Sequence, residues 1–523
     1  MSKVDGSPWG LKNMQPFFPS LEKLFKTENL ANLHEYGVKL SEPLETIVDE
    51  KHIRVRGRTI PVHRKTTMIL NPFKTMRGDY GSLGLPKGSE VASDMQESLQ
   101  SPHTAGYVGA ITSIALSESG CRHFPKVYGV FTGVASKHTI DISDDYEDIS
   151  EKTWFADNIG KTFELKLRSS EGEGFTHTRG QRLALNVQDE GDLTDLIGVE
   201  DIEAQHIDNP VVQSEMENVD VDSENKDDDD NEDSSEASDV FEIESCDCES
   251  EDEGAEDEGA ESDREDEPFA WATFKDVPVI TTVMEVCEGT FYDLIRLHPD
   301  PIKHTAWVAQ IVFALAYAQR YYAFTHNDLH GNNVMFVKTD EEFFLYRHGT
   351  QAYKVPTYGY LMKIIDFDRG ICSIRLNGMK DGKTFMSSQF QQDEEAGGQY
   401  NMEPFYDQKH PHIAASPSFD LVRFATSLFW DMFPQGPVVA PTGPNAHPLF
   451  EIFKQWMTQS DGTSVMFRKK MDDHDRYHDF DLYKAISRYC RESAIPSKEI
   501  KRLTAYRATP SAAQLCDALV IDA

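Results

Sequence analysis

The sequence predicts an α+β fold, strand-rich in its first part and helical in its last, with a long acidic insertion between two of the strands. Three observations carry this. Runs rich in β-branched residues, TIPVHRKTTMIL (59–70), FPKVYGVFTG (124–133) and VPVITTVMEV (277–286), read as strands. Two long segments that are apolar on most faces, HTAWVAQIVFALAYAQRYY (304–322) and SFDLVRFATSLFWDMF (418–433), read as helices of a large core. Between the second and third strands, residues 222–266 are too charged and too poor in apolar side chains to build a core. A chain of 523 residues has room for two or three ordinary domains, or for one two-lobed enzyme with insertions.

Taken in order, residues 1–58 form an extension of mixed character, with a short helix expected at LEKLFKTENLANLHEYG (21–37). The strand at 59–70 ends at Asn71-Pro72. SEVASDMQESLQ (89–100) carries Val91, Met95 and Leu99 at four-residue spacing, one stripe of a helix. A Ser-Pro break follows, and Tyr107, Val108, Ile111 and Ile114 mark a second helix. Within the insertion, 134–276, FELKLRS and RLALNVQD are strand-like. Beyond it, EGTFYDLI opens a short helix, and the helix at 304–322 delivers the chain into HNDLHGNN (326–333). FFLYR and YKVPT, split by HGTQ, read as a hairpin set before YLMKIIDFD. Helix and loop material from 436 onward closes the helical part.

The formal charge of −38 is unevenly spread: residues 221–267 hold 25 acidic and 2 basic side chains. The remainder is acidic as well, so no nucleic-acid partner is expected, since such affinity rests on clustered Lys and Arg. Seven cysteines are scattered, and their one close pair, Cys246 and Cys248, has no matching Cys or His pair nearby. Neither a disulfide framework nor a zinc site is expected; reduced thiols of a cytosol-like compartment are. MSKVDGSPWG lacks an apolar core, and the most apolar segment, 305–318, is too short to span a bilayer, so no leader and no membrane insertion are expected. In the acidic tract, Ser234, Ser235, Ser245 and Ser250 stand beside acids. The tract is compatible with a spacing loop, a phosphoacceptor segment or a polyanion mimic that binds basic partners.

The chemistry is concentrated in HNDLHGNN and in IIDFDRG (364–370). A carboxylate at Asp328 can accept a hydrogen bond from an acceptor hydroxyl and take its proton during phosphoryl transfer. Asn333 offers an uncharged oxygen to magnesium, and Asp366, at the end of the apolar run YLMKII, offers a carboxylate. Magnesium prefers a few hard oxygens completed by phosphate and water, which this sparse set matches. ATP and Mg2+ are therefore the expected cofactors. His326 is expected to brace the loop, whereas His330 lies where a cation would face the γ-phosphate, its charge left open by a near-neutral reference pKa.

HNDLHGNNVMF and KIIDFDRG resemble the catalytic loop and metal-binding loop of the protein-kinase superfamily. The longer run FALAYAQRYYAFTHNDLHGNNVMF…KVPTYGYLMKIIDFDRG resembles the divergent serine/threonine kinases of large nucleocytoplasmic DNA viruses, over about Thr59 to Arg502. The resemblance implies a two-lobed protein-kinase-like fold: an amino-terminal lobe and hinge strand at 59–286, a helical lobe at 287–503 and a tail at 504–523. It implies that Asp328 is the catalytic-loop aspartate, that Asn333 and Asp366 are metal ligands, and that Asp420 braces the catalytic loop. Met284, Glu285, Val286 and Cys287 fall on the hinge that receives adenine through backbone groups. Protein substrates, basic viral or host proteins among them, and autophosphorylation of the acidic tract are the implied partners. Infected-cell cytoplasm or the virus particle is the implied location.

Several positions depart from the family pattern. Asn327 stands where an arginine is usual, and Asp368 where glycine usually follows Asp-Phe. No Ala-Pro-Glu segment follows, although ASPSFD (415–420) lies in that neighbourhood. A glycine-rich phosphate loop is missing, with VRGRT (55–59) a weak substitute. Lys65 is the expected contact to the α and β phosphates, with Lys74 as its rival; Glu90, Glu97 and Glu118 are open candidates for its acidic partner. Three readings stay open: a serine/threonine protein kinase, a small-molecule kinase of the aminoglycoside, choline or sugar type, and a non-catalytic kinase-like virion scaffold.

Overall fold

The computed structural model describes residues 5–16, 40–80, 99, 101–143, 145–168, 269–375, 382–392, 394, 396–438, 440–443, 446–468, 476–477, 479–509, 511 and 515–522. Residues 1–184 and 243–523 belong to one compact unit, and 185–242 to a second that lies wholly outside the described residues. The acidic tract 221–267, RLALNVQD, the helix expected at 21–37 and, apart from Leu99, the helix expected at 89–100 lie outside them too. What is described is a mixed α+β fold of several sheets and helices.

Strand β1 (Leu11–Pro16) is followed by a small antiparallel sheet of β2 (Thr46–Ile47), β3 (His52–Val55) and β4 (Arg58–Pro61). Arg56 and Gly57 join β3 to β4 with φ of 49° and 72°, a two-residue turn in the left-handed region. The strand expected at 59–70 is in fact two. β4 ends at Pro61, whose nitrogen faces the open edge of the small sheet, and after the Val62 N–H donates to the Lys51 carbonyl at 2.9 Å the chain enters β5 (His63–Met68) of a different sheet. Asn71-Pro72, expected only to end a strand, also starts helix α1 (Pro72–Arg77). The Asn71 side chain accepts from the Lys74 N–H, and Pro72 occupies the first turn, where a missing N–H costs nothing.

Helix α2 (Ala105–Ser117) is buried on nearly every side and leads to β6 (Val127–Asp141). Short helices α3 (Tyr146–Ser150) and α4 (Thr153–Asn158) precede β7 (Glu164–Arg168), and β8 (Phe269–Met284) completes a five-stranded antiparallel sheet. Its order is β1-β6-β8-β5, with β7 also on β8. Long β8 takes β5 along residues 279–284 and β7 along 269–273. Lys65 sits opposite Thr282 in this ladder.

After β9 (Gly289–Thr290), α5 (Phe291–Leu297) opens with a capping box in which Thr290 and Asp293 satisfy each other's backbone N–H. Helix α6 (Pro301–Tyr322) is capped by Asp300, whose side chain accepts from the Ile302 N–H, and buries Trp307 and Phe313 in the main core. Phe313 stacks on Tyr346 with ring centroids 4.1 Å apart. Strands β10 (Val334–Lys338), β11 (Phe343–His348), β12 (Gln351–Pro356) and β13 (Tyr360–Ile364) follow, with β11 and β12 forming the expected hairpin. The hairpin β14 (Ile371–Ile374) and β15 (Lys383–Met386) leads on to helices α7 (Phe419–Met432), α8 (Leu449–Trp456), α9 (Asp479–Tyr489) and α10 (Pro496–Glu499). Strands β16 (Arg507–Ala508) and β17 (Leu519–Ile521) flank the β11–β12 hairpin. Among the described residues no helix is long and apolar enough to cross a membrane.

His123 pins the approach to β13: its Nδ1–H donates to the Met362 carbonyl at 2.9 Å, and the Tyr346 hydroxyl donates to Nε2 at 2.8 Å. Burial, reinforced by the Lys363 and Arg122 charges, pulls its pKa down to about 4 from 6.5. The unfolded chain therefore takes this proton first as pH falls, so the stabilisation is complete above about pH 6.5 and is lost towards pH 4. Urea unfolding between pH 7 and 4.5 is expected to show stability falling, with this group contributing up to about 1.4 kcal/mol per pH unit. His123→Gln should make that dependence shallower; an unchanged slope would contradict the assignment.

Candidate active site

The loop that follows α6 is fixed by its backbone. Ala323 ends the helix in the left-handed region at φ 44°, and Thr325 exchanges two hydrogen bonds with Ile371, at 2.9 and 2.8 Å. The His326 and Asn327 N–H groups donate to the buried carboxylate of Asp420 at 3.0 Å. Asp420 lies in the first turn of α7, where a negative charge also suits the helix dipole. His326 donates from Nε2 to the Ile365 carbonyl at 2.7 Å, which ties this loop to the one after β13. Asn327 has φ 65°, a conformation that Asn tolerates better than most residues. Its amide nitrogen donates to the Arg369 carbonyl at 2.9 Å and its oxygen accepts from the Tyr400 hydroxyl at 2.8 Å.

Asp328 follows directly. The Tyr483 hydroxyl of α9 donates to Asp328 Oδ1 at 2.7 Å, and His330 Nε2 stands 3.9 Å from Oδ2. Burial alone would raise this carboxyl, but the Arg369 guanidinium, His330 and Arg423 outweigh it and hold it well below the usual carboxylate range. Burial drives His330 the other way, down to about 4 despite Asp328, so its imidazole is neutral at pH 7. Gly331 permits the tight path: a Cβ there would lie 2.4 Å from the buried ring of Tyr292, which is held by a bond to the Ser427 carbonyl.

Asn333 and Asp366 meet through sheet register. Val334 of β10 pairs with Ile364 of β13, and the Ile365 N–H donates to the Asn333 carbonyl at 3.0 Å. The Asn333 amide nitrogen donates to the Asp328 carbonyl at 2.9 Å and lies 3.1 Å from His330 Nε2, which leaves its Oδ1 for another partner. Asp366 has φ 63° and a carboxylate that is 42% exposed. One amide oxygen and one open carboxylate on adjoining chain segments suit magnesium completed by phosphate and water. Among the described residues there is no group of three or more His, Cys, Asp or Glu side chains arranged for a metal.

Lys65 reaches this cluster from β5. Its Nζ is 2.6 Å from Asp366 Oδ1 and 2.8 Å from Asp368 Oδ1. Burial would lower this ammonium, but the two carboxylates outweigh it and hold its pKa above the ordinary lysine value. Asp366 is correspondingly held low, against burial, chiefly by Lys65, while burial keeps Asp368 high. Lys74, the rival lysine, pairs instead with Glu394 at 2.7 Å. Of the three glutamates considered as partners for Lys65, Glu118 bonds Ser41, whereas Glu90 and Glu97 lie outside the described residues.

The segment 284–287 follows from the β8 residues opposite β5. Met284 is buried, and the Glu285 carboxylate accepts from Lys363 at 2.8 Å and from the Lys126 N–H at 3.1 Å. Val286 is 38% exposed. Burial, aided by Glu285, pushes the Cys287 thiol up to about 12, which keeps it protonated and unreactive.

The structure thus brings Asp328, His330, Asn333, Asp366 and Lys65 into one neighbourhood, with 284–287 at the end of the strand that Lys65 pairs with. Arg423, Arg369, Tyr483 and Tyr400 were missed from the sequence. Arg423 had a signal, since it lies one turn beyond Asp420 on the same helix. Tyr483 had none, because α9 is an ordinary amphipathic helix far along the chain.

No family model matches the chain. A protein of Acanthamoeba polyphaga mimivirus, named "Putative serine/threonine-protein kinase", is 32% identical over 101 residues, covering 17% of this chain and 22% of that relative. The aligned part is under a quarter of the relative's length, and the similarity is consistent with a distant relation to the protein-kinase superfamily.

Replacing Asp420 with Ala strands the buried N–H groups of His326 and Asn327. The expected loss is on the order of 3 kcal/mol of unfolding free energy, read by chemical denaturation, since each orphaned donor carries its desolvation cost. A loss below about 1 kcal/mol would mean that water or another group replaces the carboxylate.

Proposed function

We propose that this protein is an ATP- and magnesium-dependent serine/threonine protein kinase. On this reading it has a two-lobed kinase-like plan, with an amino-terminal lobe and hinge at 59–286, a helical lobe at 287–503, and flanking segments at 1–58 and 504–523. The observation that carries the reading is the convergence of Lys65 from β5 on Asp366, beside a loop that holds Asp328 and Asn333 in register with it. The partial similarity to a viral protein bearing a kinase name supports the same direction.

In the reaction proposed, the acceptor hydroxyl donates a hydrogen bond to Asp328. As its oxygen attacks the γ-phosphorus and the bond to the β-phosphate oxygen breaks, its proton passes to Asp328. An unusually acidic carboxylate suffices, because a loose transition state asks for orientation more than for basicity. Lys65 binds the α and β phosphates, and the backbone of 284–287 receives adenine. Asn333 and Asp366 would hold magnesium, which would supply charge neutralisation at the phosphates. A neutral His330 contributes a hydrogen bond rather than a cation, and Arg369 and Arg423 set the positive surroundings. Basic proteins are the proposed substrates of this strongly acidic chain, and Ser234, Ser235, Ser245 and Ser250 are proposed sites of autophosphorylation.

A small hydroxyl compound as acceptor is a second reading, favoured by the Tyr483 hydroxyl that already covers Asp328 Oδ1 and narrows its approach. Magnesium-dependent transfer of labelled γ-phosphate to casein, myelin basic protein, aminoalcohols and the chain itself separates the two. Label on protein is expected, with Asp328→Asn lowering the rate by roughly a thousandfold. Label on small molecules alone selects the second reading, and the absence of both transfer and nucleotide binding rejects the enzyme.

A further inference from the structure

We propose that Asp368 is the positioning residue for Lys65: it is the fixed counter-ion that keeps the ammonium aimed at the nucleotide phosphates. The inference rests on the kinase reading above and concerns how that site is held together.

Lys65 and Thr67 are two residues apart on β5 and so project from the same face of the sheet. Both engage the same carboxylate. Lys65 Nζ is 2.8 Å from Asp368 Oδ1, and the Thr67 hydroxyl donates to Oδ2 at 3.2 Å. Each oxygen of Asp368 is thereby fixed by one strand, and a carboxylate held at both oxygens resists rotation.

Helix α2 is shaped around this contact. Gly109 faces Asp368 so closely that a Cβ would fall 1.9 Å from Oδ1. One turn earlier, a Cβ on Gly106 would fall 2.5 Å from the Ile280 side chain of β8. The helix is therefore pressed against the sheet, and the space beside Gly109 is filled by Asp368. No residue of α2, AGYVGAITSIALS, carries an acid. The helix over the strand supplies room for the counter-ion, and the loop after β13 supplies its charge.

Asp366 cannot fill this role through the reaction. It is the more open of the two carboxylates, 42% exposed against 20%, and in the kinase reading it turns to the metal. Once it is committed there, Lys65 keeps a partner only if Asp368 holds it.

The test is steady-state kinetics with varied ATP and, separately, varied magnesium, using the best acceptor of the labelling panel. Wild type, Asp368→Asn and Thr67→Val are compared, with Asp328→Asn as control. Asp368→Asn is expected to raise the KM for ATP at least about tenfold while kcat changes less, as loss of a charge-assisted bond predicts. Thr67→Val keeps side-chain shape and should raise that KM in the same direction, with little added effect in the double variant, because both act on one carboxylate. Binding of a fluorescent ATP analogue reads the same contrast without turnover. An unchanged KM and unchanged nucleotide affinity in Asp368→Asn would overturn the proposal. So would a raised magnesium requirement at saturating ATP with an unaltered KM for ATP, which would make Asp368 a metal ligand. Full transfer by Asp328→Asn would instead sink the underlying kinase reading.

Discussion

A single ammonium shared by two carboxylates joins the sheet to the loop after β13, and the candidate site depends on it. Lys65 and Asp366 are 301 residues apart in sequence, yet Nζ and Oδ1 meet at 2.6 Å. Two acids so near each other would repel without the cation between them, and with it the trio keeps one net negative charge. The other half of the site is arranged oppositely: Asp328 faces Arg369 and Arg423. The charges are thus sorted into an electronegative group and an electropositive group within one set of loops.

This arrangement is maintained by ordinary means. Backbone N–H groups converge on Asp420, strand register sets Asn333 beside Ile365, and His326 stitches the two loops together. None of these bonds is exceptional alone. Their effect is to fix Asn327 and Asp366, both in the left-handed region, where an isolated chain would seldom keep them.

The long apolar helix, the hairpin at 343–356 and the strand ending before Asp366 were legible because each has a clear period or a marked turn. The loop motifs were legible because their chemistry needs few residues at short spacing. Three things were not. The change of sheet after Pro61 was hidden inside a run that looks like one strand, since the β-branched pattern continues across it. The partner of Lys65 was sought among glutamates on helices, whereas the ammonium meets two aspartates, Asp366 and Asp368, the second noticed only as a replacement for glycine. Tyr483 reaches Asp328 across 155 residues, and contacts of that span leave no trace in local composition.

Asn327 has a consequence of its own. The link between this loop and the segment at 400 is a hydroxyl–amide bond, Tyr400 to Asn327, and burial keeps the phenol protonated. A latch made from two uncharged groups is indifferent to ionic strength and offers nothing for a phosphatase to remove. The hold on this segment is therefore made by the fold's own side chains.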